Sequence, residues 1–251
     1  TYGHCVIYAI YLYVADPART IYILQKKGLK MAQILYKDII KNKEINEFIK
    51  KGDANLATLG YTEHSKTHCV LVAERAAYLL ERFGHADAEI ELAKIAGYMH
   101  DIGNAVNREH HAEYGALLAN DILRRMDMPF TDRATIVSAI GHHDESTGGA
   151  VDIVSAAMII ADKTDVRRSR VRSRDKSTYD IHDWVNYAVT EANLKINREK
   201  RQIALELKID KKICTMYEYF DIFLGRMQMC RHGAELFGAK FKLTANGSKV
   251  L

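Results

Sequence analysis

Apolar residues recur along this chain at helical spacing, broken by short polar turns. Ile34, Leu35, Ile39, Ile40, Ile45, Phe48 and Ile49 mark one or two amphipathic helices, and Lys51-Gly52-Asp53 reads as their stop. The stretch from Ser65 to Phe83 carries Val70, Val72, Ala76, Leu79 and Leu80, with Thr62 as the expected cap and Gly84 as the terminator. Asp87 is expected to cap a third helix that runs to His100-Asp101. Glu109 to Met126 predicts a fourth, and Met128-Pro129-Phe130 resets the chain before a helix ending at Gly141. Val151 to Asp162 is strongly apolar and reads as a buried helix, although Val154, Ile159 and Ile160 leave a strand open.

The last third changes character. Ile181 to Lys200 predicts one long helix, whereas Gln202 to Ile209 alternates with the period of two expected of a half-exposed strand. Phe241 to Thr244 alternates likewise. Between them Ile213 to Phe237 reads as a long amphipathic helix with Tyr217, Phe220, Phe223 and Leu224 as core candidates. The two alternating segments are expected to pair as a small antiparallel ribbon. The fold class is therefore mainly α, a helical bundle with a C-terminal antiparallel β ribbon. Only 2 prolines in 251 residues agree with that class, because proline breaks helices.

Composition narrows the setting. With 48% hydrophobic residues the chain can bury a full core. A net charge of +4 is too small to declare a nucleic-acid binder. Cys5, Cys69, Cys214 and Cys230 form no C-x-x-C pair, so reduced thiols and a cytoplasmic location are expected. The apolar run Val6 to Val14 is far shorter than a membrane span requires, and no membrane association is expected. Residues 1–30 are expected to be a non-native or disordered leader, because Met31 opens the first amphipathic stretch; peptides from before Met31 in the native protein would refute this.

The candidate chemistry centres on His100-Asp101, placed where a helix stops. A neutral imidazole beside a carboxylate offers one nitrogen and two oxygens, which lets the Asp bridge two cations while the His holds one. Other potential ligands surround the pair in order: His68, His111, His142, His143 and Asp162. His64 lies one turn before His68, as a further ligand or a polar helix-start residue. Asp144 and Glu145 read as second-layer or acid–base groups, or as an ordinary acidic loop.

The series and its flanks resemble the HD superfamily of metal-dependent phosphohydrolases: His-x-x-x-Val-Ala at 68–73, His-Asp-Ile-Gly at 100–103, His-x-x-x-Gly-Ala at 111–116 and Ala-Asp-Lys at 161–163. The resemblance implies a helical fold and hydrolysis of phosphoester or phosphoanhydride bonds. It implies two divalent ions, Fe, Mn or Mg, one held by His68, His100, Asp101 and Asp162. The other would be held by His111, His142 and His143, with Asp101 as the bridge. In parts the pattern resembles diadenosine tetraphosphate hydrolases and cyclic-dinucleotide phosphodiesterases. Asn104 stands where both often carry Lys, and the Gly-Tyr-Pro element of the latter is missing after Gly141-His142-His143.

On this reading residues 31–60 are N-terminal helices, 61–178 the metal-binding helical core, and 179–251 a C-terminal unit packed on it. Asp101, His100 and Lys163 are the expected catalytic residues. Lys163, Arg167 and Arg168 are expected to hold substrate phosphate, since arginine forks suit phosphate oxygens. The substrate is expected to be a phosphorylated small molecule, a nucleotide or dinucleotide. The alternative is a metal-containing module that binds a nucleotide or RNA without turnover; a smaller share goes to di-iron oxidative chemistry. A homodimer through the ribbon edge is compatible with the pattern.

Overall fold

The most apolar helix among the described residues is the one around which others pack, in a computed structural model that describes residues 34–173 and 175–250. The expected leader, residues 1–30, lies outside the described residues. The first helices are α1 (Tyr36–Ile39), α2 (Lys43–Thr58), α3 (Lys66–Phe83) and α4 (Asp87–Met99). A 3-10 turn, Ile102–Ala105, leads to α5 (His111–Arg125), α6 (Phe130–Gly141) and α7 (Ile153–Lys163). The C-terminal part contains α8 (Ile181–Ala188), β1 (Val189–Asn197), β2 (Gln202–Ile209), α9 (Met216–Leu236), β3 (Lys240–Ala245) and β4 (Ser248–Lys249).

Helix α7 is buried continuously from Val154 to Ala161 and contacts α3, α4, α6 and α9. A helix apolar all round has no face to offer water, so it sits in the middle. The strand left open by its β-branched residues does not form. Asp152 accepts the Ser155 amide at 2.7 Å, and the Ser155 hydroxyl in return accepts the Asp152 amide at 2.9 Å, a reciprocal cap that commits the segment to helix. At α3 the cap is Ser65, which accepts from the Thr67 amide, and not Thr62. Asp87 is the first residue of α4 and does not cap it. Gly84 ends α3 in the left-handed region at φ 80, where a side chain would be strained.

The small sheet differs from the expected ribbon in two ways. First, the helix predicted over Ile181 to Lys200 stops at Ala188, and the chain continues as β1, antiparallel to β2. Leu194 and Ile196 alternate there with Asn193, Lys195 and Asn197, a period-two pattern that pairing with β2 selects over helix propensity. Cross-strand ion pairs Lys195–Glu206 and Lys208–Glu191, both 2.6 Å, line its exposed face. Second, β2 and β3 pair in parallel, not antiparallel. Helix α9 is the crossover between them, and a crossover returns the chain to the end of the sheet from which it left. The strand order is β1-β2-β3-β4, with Asn246 and Gly247 at positive φ closing the last hairpin. Among the described residues no helix is long and apolar enough to cross a membrane.

Candidate metal centre

Glycines bring the motif-bearing segments together. A β-carbon at Gly97 of α4 would lie 3.0 Å from the Ala73 backbone, so the two helices meet closely just beside His68 and His100. A β-carbon at Gly103 would collide with the His111 carbonyl oxygen, and one at Gly115 would lie 3.2 Å from the His100 carbonyl oxygen. The turn after His100-Asp101 is thereby pressed onto the start of α5. His110, in the left-handed region at φ 59, precedes that helix and delivers His111 toward Asp101.

The result is a cluster of side chains whose polar ends converge. His68, His100, Asp101, His111 and His143 are all buried, and Asp162 is nearly so. The His68 Nε2 lies 3.2 Å from Asp162 Oδ1 and 3.7 Å from Asp101 Oδ2. The His100 Nε2 lies 3.1 Å from Asp101 Oδ2 and 3.7 Å from Asp162 Oδ1. On the other side of the same carboxylate, Asp101 Oδ1 lies 3.8 Å from His111 Nε2 and 3.9 Å from His143 Nε2. The last two nitrogens are 3.1 Å apart.

Each of these imidazoles is oriented by a partner on its far nitrogen. The Nδ1 of His100 meets the Gly97 carbonyl at 2.8 Å, that of His143 the Ile140 carbonyl at 2.7 Å, and that of His111 the Arg108 carbonyl at 3.0 Å. His68 Nδ1 meets the fully buried Asp165 carboxylate at 2.8 Å. A proton on each Nδ1 leaves an Nε2 lone pair pointing into the cluster, which is how metal-ligating histidines are held. His68 Nε2, His100 Nε2 and Asp101 Oδ2 are buried without a hydrogen-bond partner. Three unpaired polar atoms at one point carry a heavy desolvation cost, which a cation there would offset. The donor set fits a divalent cation: His68, His100 and Asp101 form one group, and Asp101, His111 and His143 another.

The local charges agree. Burial alone would raise the Asp101 pKa, but His100, His64 and His68 hold it well below the carboxylate range. Against the same burial, Lys163, His68 and His100 keep Asp162 ionised. Burial pushes His143 well down, with His100 and His111 adding to it, and also lowers His111. His100 moves the other way, because adjacent Asp101 outweighs the burial that would lower it.

Not every expected residue arrives. His142 is exposed, its Nδ1 turned back to the Ser138 carbonyl at 2.9 Å, and it joins none of the metal-capable groups. His142 is the C-cap of α6, and neighbouring positions at a helix end do not share a face, so it is exposed while His143 is buried. Lys163 does reach the cleft above the cluster, 2.9 Å from Asp162 Oδ2. Arg167 and Arg168 do not line it. Arg167 donates to Asp165 at 2.9 Å, and Arg168 lies over the Tyr187 ring at 4.4 Å. The cations that do line the cleft with Lys163 are Arg108, Arg170 and Arg226. His64 also lines it, with Nδ1 on the Thr62 carbonyl at 2.7 Å. Sequence reasoning passed over Asp165, Arg108 and Arg226. The first had a signal, a carboxylate one turn beyond Asp162 at the end of the most apolar helix.

The comparisons bear on the same segments. A model of the HD domain family matches residues 66–209, more than half of the 251-residue chain. An uncharacterized protein of Methanocaldococcus jannaschii is 28% identical over 191 residues, covering 67% of this chain and 73% of that one. Ribonuclease Y of Enterococcus faecalis is 29% identical over 122 residues, 47% of this chain. Ribonuclease Y of Deinococcus radiodurans is 31% identical over 120 residues, 45% of this chain. These alignments span only 21% and 19% of the two ribonuclease Y chains. The family match begins just ahead of His68 and runs past Asp162, so it contains the whole buried cluster, and the protein belongs to the HD domain family.

Proposed function

We propose that the protein is a metal-dependent phosphohydrolase that cleaves a phosphoester or phosphoanhydride bond of a nucleotide or dinucleotide. The observation that carries this reading is the convergence of unpaired, buried His68 Nε2, His100 Nε2 and Asp101 Oδ2 beneath a cleft rimmed by cations. His68, His100, Asp101 Oδ2 and Asp162 would hold one divalent ion; Asp101 Oδ1, His111 and His143 would hold a second. When bound, such ions neutralise phosphate oxygens and lower the pKa of water toward neutrality. The chain's own groups do the rest. Asp101 presents one oxygen to each side, so it fixes the two halves of the site relative to each other. Asp165 keeps the proton of His68 on Nδ1 and its lone pair on Nε2. Lys163 offers a positive charge at the cleft wall to a phosphate oxygen.

Membership of the HD family supports phosphate chemistry and leaves the substrate to be found. The similarity to two ribonucleases Y favours a second reading, in which the scissile bond belongs to an RNA phosphodiester. Both readings are tested by metal analysis of purified protein followed by a screen of nucleotides, dinucleotides and short RNAs with Mn, Fe or Mg. Release of product that Asp101→Ala abolishes supports hydrolysis. Metal-loaded protein that binds a nucleotide or RNA tightly, and still does so as Asp101→Ala without turnover in either form, would establish a binding module instead.

A further inference from the structure

Of the cations around the cleft, Arg108, Arg170 and Lys163 already have partners. Arg170 gives its Nε to the Glu63 carbonyl and one terminal nitrogen to the Asp165 carbonyl, both at 2.9 Å. Arg108 reaches Asn104 Oδ1 and His111 Nε2, both at 3.3 Å. Lys163 lies against Asp162. Arg226 is held through its Nε alone. It belongs to α9, beyond residue 209 where the family match ends. Its Nε donates to Glu145 Oε1 at 2.6 Å, and its guanidinium carbon lies 4.6 Å from the centre of the Phe223 ring. Its two terminal nitrogens donate to no described residue.

An arginine used only as a structural clamp on a carboxylate favours the two-bond fork, because that geometry satisfies both oxygens at once. Here Glu145 takes a single bond from Nε, and the Phe223 ring limits how the plane can turn. What remains is a pre-oriented pair of terminal NH2 groups, on a residue that lines the cleft with Asp101, His111, His143 and Asp162. Glu145 stands 3.7 Å from Lys163 as well, so one carboxylate sets the spacing of two cations.

We propose that Arg226 is a phosphate-binding residue, which grips a phosphoryl group of the substrate next to the metal centre, and that Glu145 is its positioning residue. The ligand class is a phosphoryl oxyanion, bound by the two free terminal NH2 groups of Arg226 on the wall it shares with Lys163. The C-terminal unit thus completes the site with a group that the matched family segment does not contain. This rests on the phosphohydrolase reading for its catalytic meaning, but its binding claim is separable.

The test uses the full chain loaded with Mn, with inorganic phosphate as the probe in titration calorimetry, alongside steady-state kinetics on a substrate found by screening. Arg226→Gln should weaken phosphate binding about tenfold or more, as expected for loss of a charge-assisted contact. KM should rise by a similar factor while kcat changes less than about threefold. Arg226→Lys keeps the charge but loses the planar pair of donors, so it should recover only part of the loss. Glu145→Gln leaves Arg226 in place but loosened, so a smaller weakening than that of Arg226→Gln is expected.

Unchanged phosphate affinity in Arg226→Gln overturns the proposal, as does wild-type protein that binds no phosphate. A lower melting temperature with unaltered affinity would assign the Glu145–Arg226 pair to structure alone. The two readings fail separately. Protein that binds phosphate through Arg226 yet cuts nothing refutes the hydrolase; protein that cuts its substrate and binds phosphate equally well as Arg226→Gln refutes this inference.

Discussion

The two sides of Asp101 are built differently. Facing Oδ2 are His68, His100 and the carboxylate of Asp162, and three of the atoms there are buried with no hydrogen-bond partner. Facing Oδ1 are His111 and His143; Asp162 also groups with His143 and His100, and Asp144 lies 3.6 Å from the far nitrogen of His111. There Asn104 donates to Oδ1 at 2.8 Å, and Arg108 stands 3.3 Å from His111 Nε2. The Oδ2 side holds unmet lone pairs with Asp162 in close reach of both histidines, whereas Oδ1 is already partly met by an amide and its histidine is crowded by a cation. The two sides should therefore not bind cations equally. The Oδ2 side should bind tightly, and the Oδ1 side should exchange.

The largest effect should come from the residue common to both. Asp101→Ala removes the bridge and leaves His68 and His100 without their carboxylate, so bound metal should fall to near zero by elemental analysis. Hydrolysis should drop by about a thousandfold or more if it depends on both ions. Retention of a full metal complement would break the idea that Asp101 joins two sites.

Next come variants that separate the sides. Asp162→Asn should strip the tightly bound ion, while His143→Ala should spare it and remove only the ion that dialysis already extracts. Metal content after a graded chelator series is the measurement. Equal losses in the two variants would show that the sides are not distinct.

A smaller effect, confined to the Oδ2 side, is expected of Asp165→Asn. Its carboxylate is held well below the usual range despite burial, through its bonds to His68 and Arg167 and the nearby Arg170. An amide can still face His68, but it no longer fixes which nitrogen carries the proton. Losses from such outer partners run to about 10–100-fold in metal affinity or activity. An unchanged affinity would leave Asp165 as a purely structural anchor for Arg167 and Arg170.

The sequence showed the Oδ2 side almost completely and the periphery poorly. His68, His100, Asp101 and Asp162 sit in the short motifs that carry the resemblance to the HD superfamily, and that resemblance is what grouped them. His111 and His143 were legible for the same reason. His142 was not separable from its neighbour, because the direction of a residue at a helix end depends on how the chain leaves the helix. Arg167 and Arg168 were misplaced because charge density does not reveal partners: Asp165 and Tyr187 hold them away from the cleft over the cluster. β1 read as helix because its pattern resolves only once β2 lies beside it. Arg226 was invisible, since nothing local distinguishes an arginine on an amphipathic helix that faces a cleft from one that faces water.

The smallest expected effect is a pH response that belongs mainly to the Oδ1 side. In metal-free protein the pKa values of His111 and His143 lie below the unperturbed imidazole value of about 6.5, because burial favours their neutral forms. As pH falls below about 6.5 the unfolded chain takes up protons at these positions before the folded chain does, so stability falls. His64 is lowered by burial as well and acts in the same direction. His100 opposes them: with its folded pKa raised beside Asp101, its contribution is present at low pH and lost as pH rises through that value. The metal-free melting temperature should therefore decline between pH 7 and pH 5.5, by about 2–4 °C for each ~1 kcal/mol lost. His143→Asn should flatten that decline, while His100→Asn should steepen it. A decline that is the same in wild type and both variants would place the proton uptake elsewhere and remove the electrostatic half of the contrast between the two sides.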